Sequence, residues 1–273
     1  FTTPSELVVQ IDNRSSALMS GGAAANGGDA DPSAWLDSYT ARVPAAARAT
    51  WLARADVAAA IGLCFGESGH YTLAAQWLDR AREADDGDCP LRVLEQSANF
   101  RVRAADDEWA LMREKRGDAT DLITGIRRAI ADLELLTPSA KRCALLGSAH
   151  KRLAWMLDGD ARLAALADMA QHYGRAFELA ARNEGQTVDS YAFVNLWTAR
   201  LLHARLSGAE LPADAARTVR DGCERVQRDA ATHPHPDFWS TAVVGDCELL
   251  CALLDGRLAA AEQASIVGAY RAA

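Results

Sequence analysis

Residues 58–81 read AAAIGLCFGESGHYTLAAQWLDRA, and the spacing of small and large side chains in them decides the fold class. Ala58, Ile61, Gly62 and Phe65 fall at i, i+3, i+4 and i+7, which is one face of a helix. After the break GESGH the period resumes with Tyr71, Ala74, Leu78 and Ala81. Two short amphipathic helices joined by a tight turn follow from this pattern. Gly62 and Ala74 let the helices approach, Ile61, Phe65 and Leu78 fill the space between them, and Gly69 makes the turn.

The spacing resembles the tetratricopeptide (TPR) pattern, which sets a large residue, Leu, Gly and Tyr on helix A and Tyr, Ala, Phe and Ala on helix B. The same template fits again at Cys143, Leu146, Gly147 and His150, with Pro138 closing the preceding unit. Its helix B carries Leu166, Met169, Tyr173 and Ala176 after an apparent insertion, DGDARLAA. A third, more degenerate unit opens at Tyr191 with Val194 and Asn195 at the Leu-Gly positions. Weaker pairs surround RVLEQSANF with LITGIRRAIADL, and DFWSTAVVGDCELL with GRLAAAEQASIVGAY. Short breaks such as DDGDCP, LLTPS, RNEGQ, LSGAELP, THPHPD and LLDGR separate these helices, and no run alternates with period two. The expected fold is all-α, a TPR-like α-α superhelix of antiparallel helix pairs; a generic Ala-rich bundle is the alternative.

Composition agrees, with 49% hydrophobic but only 7% aromatic residues. The chain divides into residues 1–20, a short helix or the stub of a preceding domain; 21–34, a linker within SGGAAANGGDADPS; and 35–273, the repeat domain. It opens FTTPSELVVQI, without an initiator Met or a signal segment, so it reads as a piece of a longer polypeptide with a domain upstream. The net charge of −8 argues against a nucleic-acid partner, and the longest apolar run, Val57 to Phe65, is too short to cross a membrane. Six scattered cysteines read as reduced, cytoplasmic thiols. Cys223, Cys247 and Cys251 with His233 and His235 lack metal-ligand spacing and read as packed thiols beside a proline turn. No nucleotide-binding loop or nucleophile motif occurs, so neither a cofactor nor an enzyme is expected.

One charge pattern stands out. Between Glu134 and Asp158 there is no acidic residue, while Lys141, Arg142, Lys151 and Arg152 all occur. Cys143, Leu146, Gly147, His150, Leu153 and Ala154 form the buried stripe of this helix, and Lys151 and Arg152 lie off it. The concave positions of a TPR helix A are here Lys141, Ala144, Ser148, Lys151 and Arg152, and in the next helix A Asp189, Ala192, Leu196, Ala199 and Arg200. On this reading Arg200 stands beside Arg152 and the groove takes an anion, with Asn195 and His150 as orienting groups. The bland reading, cations solvating an exposed helix, stands beside it.

LLGSAHKRLAW, HYGRAFELA and YAFVNLWTARLL together resemble the TPR region of the apoptosis-signal-regulating MAP kinase kinase kinases and the bacterial sensor-type TPR modules (TPR-S). The residues that match the family pattern are Gly147 and Lys151, Arg175 with Ala176 and Phe177, and Asn195; His150 replaces a Tyr. The resemblance implies a helical regulatory module of a multidomain signalling or defence protein. For bacterial members it also implies a nucleotide-derived ligand. The candidate ligand residues are therefore Lys151, Arg152, Arg200, Asn195, His150, Lys141 and Arg175. The rival function is a scaffold that binds an acidic peptide, another protein or an effector domain of the same polypeptide.

Overall fold

The computed structural model describes residues 1–19, 33–84, 89–113, 117–182, 189–232, 238–256 and 267. Among the described residues there are twelve helices and no strand, and the helices pack in neighbouring pairs, as a TPR-like repeat requires. The linker expected at 21–34 lies outside the described residues except for Ser33 and Ala34, and the second half of the last expected pair, 256–270, does so except for Gly256 and Val267. The chain divides into two compact units, residues 1–136 and 137–273.

The first unit holds α1 (Pro4–Met19), α2 (Ala34–Thr40), α3 (Arg48–Leu52), α4 (Ala55–Glu67), α5 (Tyr71–Glu83), α6 (Leu91–Met112) and α7 (Thr120–Glu134). α4 and α5 are the pair read from residues 58–81. Gly69, at φ +83°, ends α4 with a Schellman turn: its N–H donates to the Gly66 carbonyl at 3.2 Å and that of His70 to Phe65 at 2.9 Å. A Cβ on Gly62 would lie 2.8 Å from Leu78 and 3.1 Å from the Ala74 carbonyl, so only glycine permits this approach. Phe65 and Leu78 are fully buried, each a contribution of about 2–3 kcal/mol by burial. Leu7 and Ile11 of α1 close the same core. Arg101 of α6 ties α5 to α7 by pairing with Asp79 and, at 3.2 Å, with Asp132.

The second unit holds α8 (Ala140–Met156), α9 (Gly159–Ala181), α10 (Ser190–Ser207), α11 (Ala215–Thr232) and α12 (Phe238–Leu254). α8 and α9 run antiparallel. A Cβ on Gly147 would meet the Tyr173 ring at 2.7 Å, and Arg162 Nε donates to the carbonyls of Ala154 at 3.1 Å and Leu157 at 2.7 Å. The stretch DGDARLAA, expected as an insertion ahead of helix B, is instead its beginning, since α9 starts at Gly159. Extra length placed in paired helices satisfies its own backbone and buries more side chains, which a loop of the same length would not. Leu166, Met169, Tyr173 and Ala176 all reach the core. Among the described residues no helix is long and apolar enough to cross a membrane.

Candidate functional site

The site is built on α8 and α10, and both helices start at a fixed point. Pro138 precedes α8, and the Ser139 hydroxyl accepts the Arg142 N–H at 3.2 Å; the Asp189 carboxylate accepts the Ala192 N–H at 2.9 Å. From there the stripe Cys143, Leu146, Gly147, His150, Leu153 and Ala154 buries itself. Burying that stripe leaves Ser148, Lys151, Arg152 and Trp155 less enclosed.

Lys151 Nζ donates to Asn195 Oδ1 of α10 at 2.9 Å. Asn195 is buried, and its Nδ2 donates to the Tyr191 carbonyl at 2.8 Å, which turns the amide oxygen towards the lysine. The ammonium also stands 5.5 Å from the centre of the Trp155 ring. Among the described residues half-buried Lys151 has no carboxylate partner. Next to it Arg152 Nη1 donates to the Ser148 carbonyl at 3.1 Å and hydroxyl at 2.5 Å. The Tyr173 and Tyr191 hydroxyls meet at 3.1 Å. Burial first, and then Tyr191, push the Tyr173 hydroxyl well above the ordinary phenol range, against smaller pulls from Ser148 and Arg152. Tyr173 therefore stays protonated, a hydrogen-bonding post between α9 and α10.

The other expected residues lie elsewhere. His150 is buried against α9, stacked on His172 at 5.1 Å, with Nδ1 3.6 Å from Asp168 and without a hydrogen bond. Burial lowers its pKa to about 4, with Asp168 opposing and His172 adding to the shift, so the ring is neutral at pH 7. Arg175 is exposed on α9, 3.4 Å from Glu178, and Lys141 is exposed in the first turn of α8. Arg200 stands 4.9 Å from the Trp197 ring centre and lines a concavity of about 340 Å³ with His203, Ala204, Ala167 and Ala170. Five residues past Asn195, its side chain leaves α10 about 140° away around the helix. The structure thus joins Lys151 to Asn195 directly, and the wall that carries Arg200 includes neither Lys151 nor Arg152.

Sequence reasoning assigned no ligand role to Trp155, Tyr191, Tyr173 or Ser148. The signal for two of them was present, since Lys151 and Trp155, and Tyr191 and Asn195, are i, i+4 pairs. Among the thiols, Cys223 Sγ lies 3.9 Å from the Cys247 carbonyl, and all six cysteines are free. Burial raises the Cys251 pKa to about 11. Among the described residues no group of three His, Cys, Asp or Glu could hold a metal ion, and His233 and His235 lie outside them.

No curated protein and no solved structure matches the chain. Residues 70–200 match the family model described as TPR-S, Tetratricopeptide Repeats-Sensor. The match runs from the start of α5 into α10 and takes in Lys151, Arg152, Tyr173, Tyr191 and Asn195. The match over residues 70–200 supports a TPR-type sensor module there, similar to the TPR-S family.

Proposed function

We propose that this sensor module binds a nucleotide-derived or other anionic ligand on the α8–α10 face and performs no chemistry on it. One observation carries the reading: a half-buried ammonium, held by the Asn195 amide, with no carboxylate partner among the described residues. An ammonium has three donors, and Asn195 uses one, so an anion can take the others without breaking the existing contact. Arg152 adds positive charge one residue on.

The absence of catalysis is part of the proposal. It is supported by the state of the buried ionisable groups. Burial holds protons on Cys64, Cys143 and Tyr173 and keeps them off His150, which is the unreactive form in each case. The further expectation, a cytoplasmic multidomain signalling or defence protein of bacterial type, is supported by the family and by six free thiols.

Calorimetric titration with inorganic phosphate and ribose 5-phosphate, at low and high salt, tests the anion reading. Both probes bind, more weakly as salt rises, and Lys151→Glu abolishes binding in a protein that keeps its native helix content, at some cost in melting temperature because the Asn195 amide loses its donor. Binding that survives Lys151→Glu refutes it. The rival, a scaffold for an acidic peptide or a neighbouring effector domain, is favoured by the alanine-walled concavity under Arg200. In that case an acidic peptide binds and Arg200→Glu weakens it.

A further inference from the structure

Trp155 presents a puzzle that helix packing does not solve. Its neighbours Leu153, Ala154 and Met156 are buried, yet its own side chain is 51% exposed. Among the described residues no other tryptophan is so open: Trp197 is buried beneath Arg200, and Trp77 packs against the core of the first unit with Arg80 at 4.4 Å from its ring centre. The indole makes no hydrogen bond among the described residues, and its ring contact is with the Lys151 ammonium. Tyr191, the other exposed aromatic among the described residues of this unit, is already committed. Its ring stands edge-on to Tyr173 at 5.6 Å and its hydroxyl is bonded there.

An exposed aromatic next to a cation without a counter-ion is a two-part binding surface. The cation takes a charged group, and the ring offers a flat apolar face to whatever that group is attached to. Stacking on such a face gains affinity from any planar ring, because every aromatic ring presents a π-surface. A bare anion or a sugar phosphate gains nothing from it.

We infer that Trp155 is the stacking platform for a planar aromatic ring of the ligand whose anionic group Lys151 holds. The ligand class is then a nucleoside phosphate or a similar aromatic anion. This rests on the anion reading above and adds a specificity residue to it. Trp155 also touches Lys151, so a merely supporting role for the ring must be told apart from stacking. Support would affect every anion equally. Stacking affects only those that carry a ring.

The experiment compares adenosine 5′-monophosphate with ribose 5-phosphate, which has the same phosphate and sugar but no base, by calorimetry on the full chain. The wild type should bind the nucleotide roughly 5- to 100-fold more tightly, the range that one stacked base supplies. Trp155→Ala should bring that ratio close to one while leaving the ribose 5-phosphate affinity unchanged; Trp155→Phe should keep an intermediate ratio. Lys151→Ala should weaken both probes together. A wild-type ratio near one overturns the stacking role, as does a ratio that survives Trp155→Ala. Equal weakening of both probes by Trp155→Ala also overturns it and leaves the ring as a support for Lys151. If neither probe binds the wild type, the anion reading falls and the inference falls with it.

Discussion

Gly147→Ala tests the packing that holds the site-bearing helices together. The added Cβ would lie 2.7, 2.8 and 2.9 Å from three atoms of the Tyr173 ring. That ring is fully buried and its hydroxyl is tied to Tyr191, so it cannot swing away as the end of a leucine would. Relieving the clash requires α8 and α9 to move apart, at the upper end of the roughly 1–3 kcal/mol that overpacking costs. Alanine returns about 1 kcal/mol of helix propensity, so the expected net loss is about 2 kcal/mol. Gly174→Ala is the control in the same unit, because its Cβ meets only Leu196 at an ordinary 3.6 Å. That variant keeps the propensity gain and is stabilised by roughly 0.5–1 kcal/mol. Urea unfolding of both variants reads the difference as opposite shifts of midpoint at constant slope, and the melting temperature of Gly147→Ala falls by about 4–8 °C. If Gly147→Ala is as stable as Gly174→Ala, the close approach of α8 to α9 is wrong.

His150 has a folded pKa of about 4 against 6.5 for the free side chain, so the unfolded chain binds the extra proton first. Its contribution is complete above pH 6.5 and is lost as pH falls through 4, roughly 3 kcal/mol in all; His150→Gln should flatten that part of the stability profile measured by urea unfolding. The six thiols should all react with a thiol reagent in denaturant, while the buried Cys64, Cys143, Cys223 and Cys247 react slowly in the native protein; fewer than six in denaturant contradicts the free-cysteine structure. Arg101→Met leaves Asp79 and Asp132 with only the longer pairings to Arg82, at 3.9 and 3.8 Å, and should cost about 1–2 kcal/mol in thermal unfolding. Arg54→Met, which removes an exposed pair with Asp56, should cost at most about 1 kcal/mol.

The helix pair at 58–81 was legible because everything that specifies it is local. The period of Ala58, Ile61, Gly62 and Phe65, the glycine at 69 and the resumed period at Tyr71 fall within one hairpin, and the structure places each of them as read. The buried stripe of α8 was legible for the same reason, and so was the approach of Gly62 to the helix that carries Ala74. The helical nature of 159–165 was hidden by Asp158, Gly159 and Asp160, which favour turns in isolation; that preference is overridden when the segment extends a helix already paired with α8.

What the sequence could not decide is which off-stripe side chains meet across helices. Lys151 and Asn195 are 44 residues apart, and their contact depends on the lengths of α8 and α9, which set how far α10 slides along its neighbours. Gly62 faces Leu78 sixteen residues on, whereas Gly147 faces Tyr173 after twenty-six, so the register of one pair does not transfer to the next. Arg200 was expected beside Arg152 from that transfer; the structure shows it lining a concavity with Ala167 and Ala170 of α9, whose wall does not include Arg152. The exposure of Trp155 is likewise a tertiary fact. The pattern of α8 takes Trp155 off the buried stripe, but only the packing of the second unit leaves half of its indole open to solvent beside an ammonium.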